Sequence, residues 1–112
     1  MAETAIILNN SGNDKYAQIS RGLIASPIKT DKLKIVLDTE SQLDNIIQIR
    51  NEKSFGSEWN RDISLKNYTN AINKTNLILE IPLNPAVVLD GETYFSTVLE
   101  ANSSMDLLFY FD

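Results

Sequence analysis

The last third of the chain alternates. Leu77, Leu79, Ile81 and Leu83 fall on one side of a run whose other side is Ile78, Glu80 and Pro82. Phe95, Thr97 and Leu99 oppose Tyr94, Ser96, Val98 and Glu100. Met105, Leu107, Phe109 and Phe111 oppose Asp106, Leu108, Tyr110 and Asp112. Successive strand side chains point to opposite faces, so a period of two marks a half-buried strand. Asp90-Gly91 follows the apolar run Ala86-Val87-Val88-Leu89 and precedes the second alternating run. That dipeptide predicts a two-residue hairpin, because a type I′ turn needs positive φ at both central positions. Asn102-Ser103-Ser104 predicts the next turn. The expectation is an antiparallel meander that ends inside its last strand.

Upstream, Thr4 to Leu8 reads as a short strand, and the cluster Asn9-Asn10-Ser11-Gly12-Asn13-Asp14 as a turn. Its oxygens match no EF-hand spacing. Lys15 to Ser26 fits two patterns. Tyr16, Ile19, Leu23 and Ile24 make a helical stripe, while Ala17, Ile19, Leu23 and Ala25 make an inward strand face. Gly22 weakens the helix, and the balance leans to strand. Pro27 ends the element. Leu33, Ile35 and Leu37 alternate with Lys32, Lys34, Val36 and Asp38, which predicts a strand with a partly basic outer face. Thr39 and Gln42 have capping-box spacing ahead of Leu43, Ile46 and Ile47. The same stretch reads equally as a strand with Ile47 and Ile49 inward. A loop from Ser54 to Asn60, a short strand from Arg61 to Lys66, and a polar stretch from Asn67 to Asn76 complete the chain.

Composition narrows the chemistry. The 112 residues suit a single domain, 1–112, and a hydrophobic content of 43% suits a packed core. Histidine and cysteine are both absent, which removes the commonest general base, the commonest transition-metal ligand and all thiolate chemistry. A net charge of -5 opposes phosphate backbones and anionic membranes, so neither nucleic acid nor membrane is an expected partner. Met1-Ala2-Glu3-Thr4 lacks the basic start and apolar run of a signal peptide, and no run reaches membrane-span length. The expected place of synthesis is a cytosol.

Candidate sites were weighed against plainer roles. Four sequons, at Asn9, Asn67, Asn73 and Asn102, fit Asn-rich loops better than glycan acceptors. Glu58 and Asp62 flank Trp59, but a chain with fifteen acidic residues produces such neighbours by chance. No residue is assigned a catalytic, cofactor or metal role, and no cofactor is expected. Trp59, Phe55 and Tyr68 form a candidate ligand platform for a sugar ring, against the plainer role of covering one end of the core. Leu108 and Tyr110 stand opposite a core-facing row, as do Tyr94 and Val98. A strand that is apolar on both faces is central or lies at an interface, so these four are the candidate interface residues.

The stretch Asn45-Ile46-Ile47-Gln48-Ile49-Arg50-Asn51, the run from Leu77 to Leu83 and the ending from Tyr94 to Asp112 give the whole chain a texture. It resembles the small accessory proteins of tailed-bacteriophage virions, β-sandwich or jelly-roll proteins that decorate capsids or join head and tail. The resemblance implies many copies on a capsid or tail, a virion or cytoplasmic location and no catalysis.

The expected fold is all-β, an antiparallel sandwich, jelly-roll-like, of about seven to eight strands. The alternative is α+β, with helices at about 14–25 and 41–51. The expected function is non-enzymatic and structural, as a subunit or decoration of a larger assembly. Its partners are other protein subunits, as a homo-oligomer or with capsid or tail proteins. The alternative function is a carbohydrate- or receptor-binding sandwich module.

Overall fold

A computed structural model describes residues 2–21, 27–51, 59–71 and 77–111. Eight strands run in order: β1 Ala2–Asn10, β2 Tyr16–Arg21, β3 Ile28–Leu37, β4 Ile46–Asn51, β5 Trp59–Ser64, β6 Leu77–Leu89, β7 Thr93–Leu99 and β8 Ser103–Phe111. Two 3₁₀ segments, Glu40–Asp44 and Leu65–Ala71, sit between β3 and β4 and between β5 and β6. No α-helix occurs among the described residues. None of the described helical segments is long and apolar enough to cross a membrane.

The strands form two four-stranded antiparallel sheets, β1-β8-β3-β6 and β2-β7-β4-β5. Every strand has a partner counted from the other end of the series: β1 with β8, β2 with β7, β3 with β6, β4 with β5. The chain is thus one long antiparallel ribbon, doubled back on itself and rolled up. Ladders β3–β8 and β4–β7 close the roll into two sheets. This is the antiparallel, jelly-roll-like sandwich that was expected. It is not a closed barrel, and β1, β6, β2 and β5 remain sheet edges.

The core lies between the sheets. Leu33, Ile35 and Leu79 face Ile47, Ile49 and Phe95 in one cluster, and all six are fully buried. Phe95 of β7 and Phe109 of β8 meet across the sandwich with ring centroids 5.6 Å apart. The three C-terminal runs point inward by the residues that alternation selects, except that Phe111 is only half-buried.

Several expectations need correction. The C-terminal third is not a meander. β6 pairs with β3, and β7 pairs with β2 and β4, so consecutive strands cross from sheet to sheet. Alternation fixes which face is buried but carries no information on which strand lies alongside. The turn at Asp90 also falls one residue later than expected. Thr93 N–H donates to Asp90 C=O at 3.0 Å, so Gly91 and Glu92 are central. Among the described residues only Asn102 is a non-glycine with positive φ, so Glu92 excludes type I′. The Asp90 carboxylate accepts from Glu92 N–H at 2.9 Å, an Asx turn that favours this register.

In β2 the expected inward face is reversed. Ile19 is 72% exposed and Ala17 is exposed, because Ile19 lies opposite outward-facing Ser96 of β7. Leu23 and Ala25 lie outside the described residues. The helix alternatives do not form where the chain is described: 16–21 is strand, and 41–51 divides into a 3₁₀ turn and β4. The capping box is not made either, since Thr39 shows no side-chain cap bond. Trp59 and Asn60 belong to β5 rather than to a loop.

Asn102 turns β7 into β8 with φ of 52°. The left-handed region costs an ordinary residue about 1–2 kcal/mol, which asparagine and glycine largely escape. Asn102→Val should therefore lower stability by about 1–2 kcal/mol, and Asn102→Gly by little. Chemical denaturation of the two variants measures the difference.

Candidate functional site

The outer face of the first sheet carries apolar side chains on all four strands. Cross-strand register places Ile7, Asp106, Val36 and Ile78 in one row across all four strands. The adjacent row is Ala5, Leu108, Lys34 and Glu80. Diagonal neighbours on a sheet are about 7–8 Å apart and within reach of large side chains. Ile7, Leu108, Val36 and Ile78 therefore form a stepped apolar band over the full width of the sheet, notched by Asp106. Ile7 is 66% exposed, and the other three are half-buried.

Leu108 and Tyr110 lie on this face, as their alternation implies. The second sheet covers the opposite side and does not reach them. Their cover is partly basic. Lys34 stands directly beside Leu108, and Lys32 directly beside Tyr110. The Lys32 and Lys34 ammonium groups lie 5.6 and 5.5 Å from the Tyr110 ring centroid. Long lysine stems shield apolar surface while their heads stay wet, and each cation–π contact at an exposed site adds about 0.5–1 kcal/mol.

Tyr94 and Val98 are on the outer face of the other sheet. Arg21, Tyr94, Arg50 and Asn60 form one cross-strand row there. The Arg21 guanidinium lies 6.0 Å from the Tyr94 ring centroid. Val98 sits beside exposed Ala17 of β2. The four candidate interface residues thus divide into two pairs on opposite faces of the sandwich and do not make one surface.

Trp59 and Tyr68 of the candidate platform lie on separate elements. Trp59 begins β5 opposite Asn51, half-buried and packed on the core. Tyr68 lies in the 3₁₀ segment that follows β5, also packed on the core. Phe55 and Glu58 lie outside the described residues. Asp62 is exposed on the outer face of β5. Among the described residues, no three carboxylates stand close enough to hold a metal ion.

Buried polar side chains are used as staples between loops. Gln42 is fully buried, and its Nε2 donates to Val98 C=O. Its Oε1 accepts from Glu100 N–H at 3.1 Å, so the side-chain amide continues the β7 ladder beyond β4. Asn10 is 2% exposed. Its Nδ2 donates to the carbonyls of Asp14, Leu99 and Glu100 at 2.9, 3.2 and 3.1 Å, and its Oδ1 accepts from Gly12 N–H at 2.9 Å. A Cβ at Gly12 would meet that Oδ1 at 3.2 Å, which keeps the position small. At the other end Asn51 donates to Asp90 Oδ1 at 2.8 Å and to Thr93 Oγ1 at 3.0 Å. These groups hold backbone and leave no reactive pair.

Sequence reasoning missed Ile7 as a surface residue, and missed that Ile7, Val36 and Ile78 join Leu108 in one band. The signal was present in Ile6-Ile7, since adjacent isoleucines in a strand face opposite ways. Val36 and Ile78 were likewise on the named outer faces of their runs. No family model matches the chain, and no curated protein or solved structure is significantly similar to it.

Proposed function

We propose that this chain is a non-enzymatic structural protein, a subunit or decoration of a larger assembly, in the setting of a phage capsid or tail. The observation that carries this reading is the apolar band Ile7-Leu108-Val36-Ile78 on the first sheet. Fully burying one leucine-sized side chain is worth about 1.5–3 kcal/mol, so exposed Ile7 forgoes most of that and the three half-buried residues a part of it. A neighbouring subunit recovers it, and a contiguous apolar patch with a charged rim is how such contacts look before they form. The rim here is Lys32, Lys34, Glu80 and Glu3. The setting comes from the resemblance to virion accessory proteins.

The double variant Leu108→Asp with Tyr110→Ser tests the reading. Both side chains face outward, so circular dichroism should show an intact fold. Light scattering should show that the assembly formed by the unaltered chain, alone or with its partner, is lost. Assembly that survives both changes would move the interface off this face.

A further inference from the structure

We infer that the free edge of β1 is a pairing site for β1 of a second copy, which joins two four-stranded sheets into one of eight. The inference deepens the assembly reading above and rests on it.

The four sheet edges differ. An exposed edge strand is a template for another strand, and proteins blunt such edges with proline, charge, bulges or short length. β6 carries Pro82, Pro85 and exposed Glu80. Its ladder with β3 also shifts register, from Thr30↔Val87 to Lys32↔Pro82, so residues 83–86 face Asp31 alone. β5 has six residues and carries Arg61 and Asp62. The Arg61 Nη2 donates across to Pro85 C=O at 2.8 Å, which ties these two edges together. β2 carries exposed Arg21. Among the described residues β1 has none of these devices from Ala2 to Leu8, and at its end the exposed Tyr16 hydroxyl donates to Asn9 C=O at 3.2 Å. The strand is nine residues long, without proline, lysine or arginine, and it pairs with β8 from Ala2 to Asn10 without a register shift. Glu3 is its one charge.

β1 is also complementary to itself. Antiparallel pairing with Ile6 on a two-fold axis overlaps all nine residues once the exposed Tyr16 hydroxyl releases Asn9 C=O, and keeps each side chain on its own face. Glu3 then lies beside Asn9 of the copy rather than beside Glu3, so like charges are kept apart. Outward Ile7 lies beside Ala5, inward Leu8 beside Thr4, and Ile6 beside Ile6. The exposed Ile7 gains cover, and the apolar band runs on through the seam. A two-fold contact of this kind closes on itself and gives a discrete pair.

Native mass spectrometry and light scattering of three variants test this. Ile7→Lys places ammonium groups near the seam and should weaken the pair by about tenfold or more with an unchanged melting curve. Ile6→Cys adds a thiol to a chain that has no cysteine. Opposed Cα atoms in an antiparallel pair are about 4.5–5.5 Å apart, within disulfide range, so mild oxidation should give a covalent dimer. Glu80→Cys, on the opposite edge, should stay monomeric in the same conditions. A chain that assembles while Ile6→Cys fails to cross-link overturns β1 pairing and leaves the assembly reading in place. A chain that is monomeric by mass at all concentrations, with no Ile6→Cys dimer, also overturns the pairing. The Leu108 and Tyr110 double variant then judges the assembly reading by itself. If Ile7→Lys melts early, the two cysteine variants decide.

Discussion

Asn10→Asp is expected to cost about 3–5 kcal/mol at neutral pH, the range for a buried charge left without a partner. A domain of this size is stable by about 5–15 kcal/mol, so much of the margin goes with one atom. The change is nearly isosteric. It replaces the Nδ2 donor with an oxygen that faces the carbonyls of Asp14, Leu99 and Glu100. Three acceptors then surround an anion. Asn10→Ala removes the donor without adding charge and should cost less, about 1–3 kcal/mol for carbonyls left unsatisfied. The pH dependence separates the two. Burial and the surrounding carbonyls raise the introduced carboxyl above its unfolded value near 3.9. Between those two values the folded variant holds a proton that the unfolded chain has lost, so its penalty grows as pH rises and shrinks as pH falls. Urea midpoints at pH 7 and pH 5 should converge on Asn10→Ala for the aspartate variant at the lower pH. Equal penalties for both variants at both pH values would mean that Asn10 does not hold the loop by donation.

Phe109→Ala is expected to cost about 3–5 kcal/mol through the cavity it leaves. Phe109 is fully buried, lies between Thr4 of β1 and Leu33 of β3, and meets Phe95 across the sandwich. Its neighbour supplies the control. Tyr110 faces outward under Lys32 and Lys34, and Tyr110→Ala forfeits little more than those two cation–π contacts, about 1–2 kcal/mol. Thermal denaturation should place the two variants far apart. Equal shifts would show that the face of β8 is misassigned.

Much of the fold was legible, and the missing part has a common cause. The buried faces of β3, β6, β7 and β8 follow from alternation alone, because burial is a property of each strand, whereas β4 read equally as helix. Pairing is a property of two distant segments. Nothing near Leu99 says that β7 lies between β2 and β4, and nothing near Ala2 says that it meets Phe111. Ile19 misled for a related reason. Hydrophobicity chose the inward face, but register with Ser96 fixed it outward. Gln42 misled locally, since its amide has the spacing to cap a helix and instead completes the ladder of β7. At the candidate site, Leu108 and Tyr110 were legible as outward apolar residues. The band they belong to was not, because Ile7, Val36 and Ile78 come from three other strands.

The position of β8 sets the order in which the molecule is made. β8 is the last of the eight strands to be synthesised, yet it lies inside the first sheet, between β1 and β3. Ala2 and Phe111 are neighbours in space. At about 5–20 residues per second, a ribosome leaves β1 without its partner for roughly 5–20 s. Through that interval the Ile6-Ile7-Leu8 segment is open on both edges, and β3 can be held from one side only, by β6. Native pairing of this sheet therefore waits for the polypeptide to emerge as far as β8, and a nascent chain stalled before Ser103 is one that holdase chaperones should retain.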